Sequence, residues 1–189
     1  MNLIERTRNL LRRLRAEEGA SILTETALSI PLYLTLASGT LEASNYLLLH
    51  LKMQHTVVAI ADLTTRDEKI YESVVTDIFE AVPQIMTPYP VAAESKMIIS
   101  AISEVEGETP SIFWQREGSG TLAVESTLGE EGDHITMPHD LVVNPNETVI
   151  ITEYFYKYEP LIFDVFGETT LHRIAFFRPR IGSLQTVLP

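Results

Sequence analysis

GASILTETALSIPLYLTLASGTLEASNYLLLHL, residues 19–51, decides how the rest of the chain is read. Its only charges are Glu25 and Glu42, and apolar side chains run through it without a turn signal. A single helix crossing a bilayer is therefore expected to begin at Ala20, with two carboxylates in or near the lipid that need partners. Pro31 removes one backbone hydrogen bond inside that helix, which predicts a kink or local loosening one turn earlier without ending it. Past Tyr46 the pattern turns amphipathic: Leu47, Leu51, Val58 and Ala61 recur at near-helical spacing, while Lys52, Gln54, Asp62 and Arg66 face elsewhere. The helix is expected to continue to residue 66, a length of about 70 Å, with half of it outside the membrane.

Charge gives this helix a direction. Residues 1–16 carry five arginines and one acid, +4, whereas residues 51–189 carry nine bases and 21 acids, −12. Under the positive-inside rule the basic head stays in the cytoplasm and the acidic remainder is exported. So acidic a surface argues against nucleic acid as a partner. With 189 residues and no cysteine, the exported part is one modest domain held by packing, without disulfides or thiolate metal sites. A secretory signal also opens with basic residues before an apolar run. This run is too long for one, contains Glu25, and lacks a clean small-x-small site between Leu41 and the polar residues 42–45.

Downstream, Ile70, Val74, Ile78 and Val82 recur every four residues and predict a short helix over 67–82, ended by Pro83. Strands are expected at 97–102, 112–115, 121–126, 149–156 and 171–177, separated by the turn residues Pro88, Pro90, Gly118, Gly120, Gly129, Gly132 and Asn144-Pro145-Asn146. A short helix is expected at 161–166. Helices first and strands afterwards predict an α+β fold: a long N-terminal transmembrane helix packed on a small antiparallel sheet. The parts are a basic leader, 1–19, the long helix, 20–66, and an acidic domain, 67–189.

The residues themselves resemble a known family. GASILTETALSIP, then Gly39-Thr40-Leu41-Glu42 and AIADLTTR, is similar to the N-terminal region of the TadE-like minor pilins of tight-adherence (Flp-type) pili. IFWQREGSG, ITEYFYKYEP and IAFFRPR look like the same family's globular part, with Trp114, Glu153, Tyr156 and Arg178-Pro179-Arg180 in matching order. The resemblance implies a structural minor pilin or pseudopilin without enzymatic activity or cofactor, acting in pilus biogenesis and surface attachment. It implies the major pilin, other minor pilins, a prepilin peptidase and the inner-membrane assembly machinery as partners, and a single-pass inner-membrane location with the C-terminal domain exported. An uncleaved assembly scaffold of the same system is the alternative. In the family, cleavage after a small residue leaves a glutamate fifth in the mature chain. Glu25 is sixth after a cut at Gly19 and fifth after a cut at Ala20, with Ser21 then the new N-terminus.

A carboxylate and a freed ammonium in lipid stabilise each other, so Glu25 is expected to pair with a neighbouring subunit's N-terminus or else to lie solvated at headgroup level. Glu42 either meets a basic group on a partner or marks where the helix leaves the lipid. Ala37, Ser38, Gly39, Ala43 and Ser44 around it permit close helix approach. Trp114 and the tyrosines of 154–158 are expected to pack sheet against helix. Glu153 is expected to bond Arg178 or Arg180 from a neighbouring strand.

No motif assigns an enzyme, and an anchored exported one is a third reading that a cleft gathering His134, His139 and nearby acids would favour. The histidines His50, His55, His134, His139 and His172 lack metal-site spacing, and Gly118-Ser119-Gly120 is too short for a nucleophile elbow. Glu130, Glu131 and Asp133 lack the alternation of a calcium loop and read as a solvated acidic turn.

Overall fold

A run of 47 residues without a strong breaker other than Pro31 forms one helix, α1, Glu18–Thr64. The structure, a computed structural model, describes residues 5, 8, 12, 18–105, 108–137, 141–145, 147–162 and 167–189, with backbone alone for 18–21. The chain divides into two units, Met1–Asn45 with Leu161–Val165, and Tyr46–Pro160 with Phe166–Pro189.

In the second unit, Leu49, Met53, Val57 and Ile60 of α1 recur every three or four residues, and all are buried. They pack with α2, Glu72–Met86, through Val75, Ile78, Val82 and Met86. Both helices cover one face of a four-stranded antiparallel sheet built from β2 Ser95–Ser103, β3 Ser111–Gly118, β4 Thr148–Tyr158 and β5 Thr169–Phe177, in the order β3-β2-β4-β5. Met97, Ile99 and Ala101 of β2, with Ile150 and Tyr154 of β4, form that face. The opposite face carries a second cluster, Ile102, Ile112, Val143, Val149 and Ile151, covered by Leu128, Ile135 and Leu141 from the connection between β3 and β4. Hence β4, central and covered on both sides, is buried without a break from Thr148 to Tyr156. A small parallel pair, β1 Ile70–Tyr71 with β6 Val187–Leu188, ties the C-terminus beside the start of α2.

Several expectations are corrected here. No helix among the described residues is long and apolar enough to cross a membrane. The reason lies in the spacing of polar residues: Thr24, Thr26, Ser29, Thr35, Ser38, Thr40 and Ser44 dilute the apolar ones, and Glu25 and Glu42 add charge. The transmembrane pilin-like helix of the expected α+β class is overturned, and with it the single-pass inner-membrane placement with its cytoplasmic head and exported domain. What stands is a mixed α and β fold without a spanning helix among the described residues.

The short helix starts five residues later than expected and runs through Pro83. A proline in a helix strips the carbonyl four residues earlier of its donor, here Phe79. Ser119 Oγ donates to that carbonyl at 2.5 Å, so the helix continues without an orphaned acceptor. Residues 121–126 form no strand, because β2 already has β3 and β4 on its two edges. They run past its start instead, with Thr121 N donating to Ala92 O and Leu122 N to Ser95 O. The helix expected at 161–166 falls partly on residues 163–166, outside the described residues, and 161–162 form a bend.

Candidate functional site

From Ile22 to Leu41, α1 displays large apolar side chains that nothing in its own unit covers. Leu23, Leu28, Tyr33, Leu34 and Leu36 are each 60% or more exposed. Isolated apolar side chains on a surface are ordinary, but a contiguous run along a helix marks a surface that meets something else. Two hydroxyls within the run and one just past it turn back onto the helix: Thr35 Oγ1 donates to Pro31 O at 2.8 Å, Thr40 Oγ1 to Leu36 O at 2.8 Å, and Ser44 Oγ to Thr40 O at 2.7 Å. Each hydroxyl is thus satisfied without solvent, which leaves methyl and methylene groups on the outside.

The residues singled out from the sequence fall at distinct places on this helix. Gly19, Ala20 and Ser21 lie in its first turn. Glu25 and Pro31 are exposed, and α1 continues through Pro31. Gly39 is half-buried, yet a Cβ built on it would meet nothing within 4 Å. Its absent side chain therefore serves no packing in its own unit, although glycine costs a helix about 1 kcal/mol relative to alanine.

Glu42 is fully buried, and its carboxylate has an intramolecular role. Leu161 N donates to both of its oxygens at 3.1 Å and Ile162 N to Oε2 at 2.9 Å. The bend at 161–162 aims these two amides at one carboxylate. Neither expected role, a basic group on a partner or a lipid boundary, describes this arrangement. No sequence signal pairs residues this far apart.

In the second unit, Trp114 is buried and its Nε1 donates to Leu184 O at 2.8 Å. Tyr156 packs edge-on against Tyr89, and burial together with the nearby Glu94, Tyr89 and Glu159 pushes its phenol up to about 12. Glu153 points to the opposite face of the sheet. It is fully buried and bonds neither Arg178 nor Arg180. Ser126 Oγ and Thr127 Oγ1 donate to it, Thr127 N does so at 3.2 Å, and His172 Nε2 lies 3.1 Å from Oε1. Burial works against its charge, but the contacts from His172, Ser126 and Thr127 outweigh it and hold the carboxyl below the ordinary range. Arg178 instead donates to Val142 O at 2.7 Å and lies 3.6 Å from Glu147, and Arg180 pairs with Asp62. Serine and threonine were legible at 126–127, but only the fold brings them beneath β4.

An open groove of about 1040 Å³ in the second unit went unread in the sequence. Leu48, Leu51, His55 and Val58 of α1 line it with Ile85 and Phe177, and Lys52 Nζ at its side donates to Ile85 O at 3.1 Å. The residues weighed for catalysis do not assemble into a reacting set. Among the described residues no three histidines or acids gather to hold a metal. His134 contacts Thr109, while His139 lies outside the described residues. Glu131 is held by Gln115 N and Arg116, and Asp133 accepts from Glu130 N. No protein-family model, curated protein or solved structure matches the chain, so the likeness to TadE-like pilins rests on its motifs.

Proposed function

We propose that this chain is a structural subunit of the minor-pilin kind, acting in the biogenesis of a tight-adherence pilus and so in surface attachment. The observation that carries the reading is the uncovered apolar surface between Ile22 and Leu41, with its back-bonded hydroxyls. Cover by other chains would stabilise such a surface, each leucine buried there contributing roughly 1.5–3 kcal/mol. Gly39 supports the same reading, since its open Cβ position leaves room for a neighbouring helix to approach. The partners are the major pilin, other minor pilins and the assembly machinery, with a prepilin peptidase cutting after Ala20.

Leu34→Asn tests it. The residue is 63% exposed, so the folded chain should keep its circular dichroism and urea midpoint. Pili recovered by shearing, and cells retained on a surface, should fall about tenfold or more, because a polar amide replaces a covered leucine. Unchanged piliation and attachment would remove the reading.

A further inference from the structure

Each unit carries an apolar surface with one charge left unanswered, and the two charges are opposite. In the first unit, Glu25, Leu28, Leu32 and Leu36 follow at intervals of three, four and four, which places them on one face of α1. The three leucines are 74%, 58% and 60% exposed, and Glu25 is exposed beside them. Glu25 is the only charge from residue 19 to residue 41, and the nearest ahead of it, Glu17 and Glu18, are also acids.

In the second unit the open groove along Leu48, Leu51 and Val58 has Lys52, His55 and Asp62 as its titratable lining. Asp62 is answered by Arg180. Lys52 gives one N–H to Ile85 O and keeps two more, and among the described residues it forms no ion pair. Past Asp62, Arg66 and Lys69 stand with Asp67 and Glu68, while Glu72 pairs with Arg116 at the far end of α2 and Glu80 lies a turn before Gln84. None of these lines the groove.

We infer that the Glu25 face of one copy of this chain lies in the Lys52 groove of another, carboxylate against ammonium. The inference deepens the proposed function: it rests on the surface between Ile22 and Leu41 being covered by protein, and it names that protein as a second copy. Each of the two surfaces lies wholly within one unit. Pairing like with like fails on charge. Face against face leaves two carboxylates in apolar contact, groove against groove leaves two ammoniums, and only face in groove answers both.

Length and position give the contact its sense. The α1 side of the groove, Leu48 to Asp62, is about 21 Å long, and Ile22 to Leu41 is about 28 Å, so the face is long enough to fill it. Glu25 stands near the N-terminal end of its face, and Lys52 near the N-terminal end of the groove. Parallel helices therefore join the two charges and lay Leu28 and Leu32 along His55, Val58 and Ala59. Antiparallel helices joined at the same charges would leave Val58 and Ala59 bare.

Charge reversal tests the contact in the full-length chain, with sedimentation as the readout and circular dichroism as the check on folding. The unsubstituted chain should self-associate, and Glu25→Lys and Lys52→Glu should each raise the dissociation constant about tenfold or more. An equimolar mixture of the two variants, and the double variant, should recover association, because every contact again joins opposite charges. Should Lys52→Glu unfold, Lys52→Gln takes its place, since its amide keeps a donor for Ile85 O; its association should be weaker and lose its dependence on salt. Association untouched by these substitutions, or no recovery in the mixture and the double variant, would overturn the inference. So would a chain that stays monomeric at every concentration, whether free or bound to phosphatidylglycerol vesicles. If self-association fails while Leu34→Asn still abolishes pili, the inference falls and the proposed function stands. If the charge exchange behaves as expected and Leu34→Asn leaves pili unchanged, the contact stands without that function.

Discussion

Glu153 shows how one side chain holds a long connection to a sheet. Its two oxygens gather Ser126, Thr127 and His172, so the segment leaving β3 is fastened beneath the central strand by a single carboxylate. Because its folded value lies below the ordinary carboxylate range, its contribution is complete above that range and fades as pH falls through the depressed value. Glu153→Gln keeps the shape but loses the charge and one acceptor, and should cost about 1–3 kcal/mol at neutral pH. Urea denaturation of both proteins should show that difference shrinking as pH falls from the ordinary carboxylate range through the depressed value of the native carboxylate. Glu153 was legible as a strand residue that needs a partner. That its partners are hydroxyls and an imidazole, not Arg178 or Arg180, depends on β4 facing the 119–137 connection, which no local pattern encodes.

At the scale of elements, α2 depends on a residue outside it. Ser119, held at φ 53° between Gly118 and Gly120, supplies the donor that Pro83 withholds from Phe79 O. Ser119→Ala should leave that carbonyl unsatisfied, costing about 1–3 kcal/mol, and amide exchange should rise first in the last turns of α2. Ser119→Thr, which retains the hydroxyl, should recover part of the loss. The strands at 95–103, 148–158 and 169–177 were legible because β-branched and aromatic residues cluster between turn signals. Thr121 to Ser126 has the same composition but finds no free edge beside β2, so propensity loses to sheet order. Pro83 misled for a related reason: a breaker ends a helix only where nothing repairs the backbone. The long helix was legible from its apolar content, whereas its bilayer crossing was not a safe reading, because its threonines, serines and two glutamates lower the mean hydropathy of every stretch long enough to span.

At the scale of the molecule, its surfaces divide into those the chain covers itself and those it leaves bare. Glu42, fully buried and bonded to Leu161 and Ile162, belongs to the first kind although it lies one residue from exposed Leu41. Proximity in sequence was therefore no guide to which acid would face outward; Glu25 does and Glu42 does not. The strand order β3-β2-β4-β5 carries a consequence for the nascent protein. The buried stripe of α1 leaves the ribosome first, yet β4 and β5, on which its cover is completed, are translated more than eighty residues later. Until then Leu49, Met53, Val57 and Ile60 have only the cover that α2 and the earlier strands give. Chains stalled before residue 148 should be captured by holdase chaperones or pellet when released, while chains extended past residue 177 by a linker long enough to clear the exit tunnel should resist protease. Equal protease resistance for both lengths would show that the domain needs no closing strand to shelter its first helix.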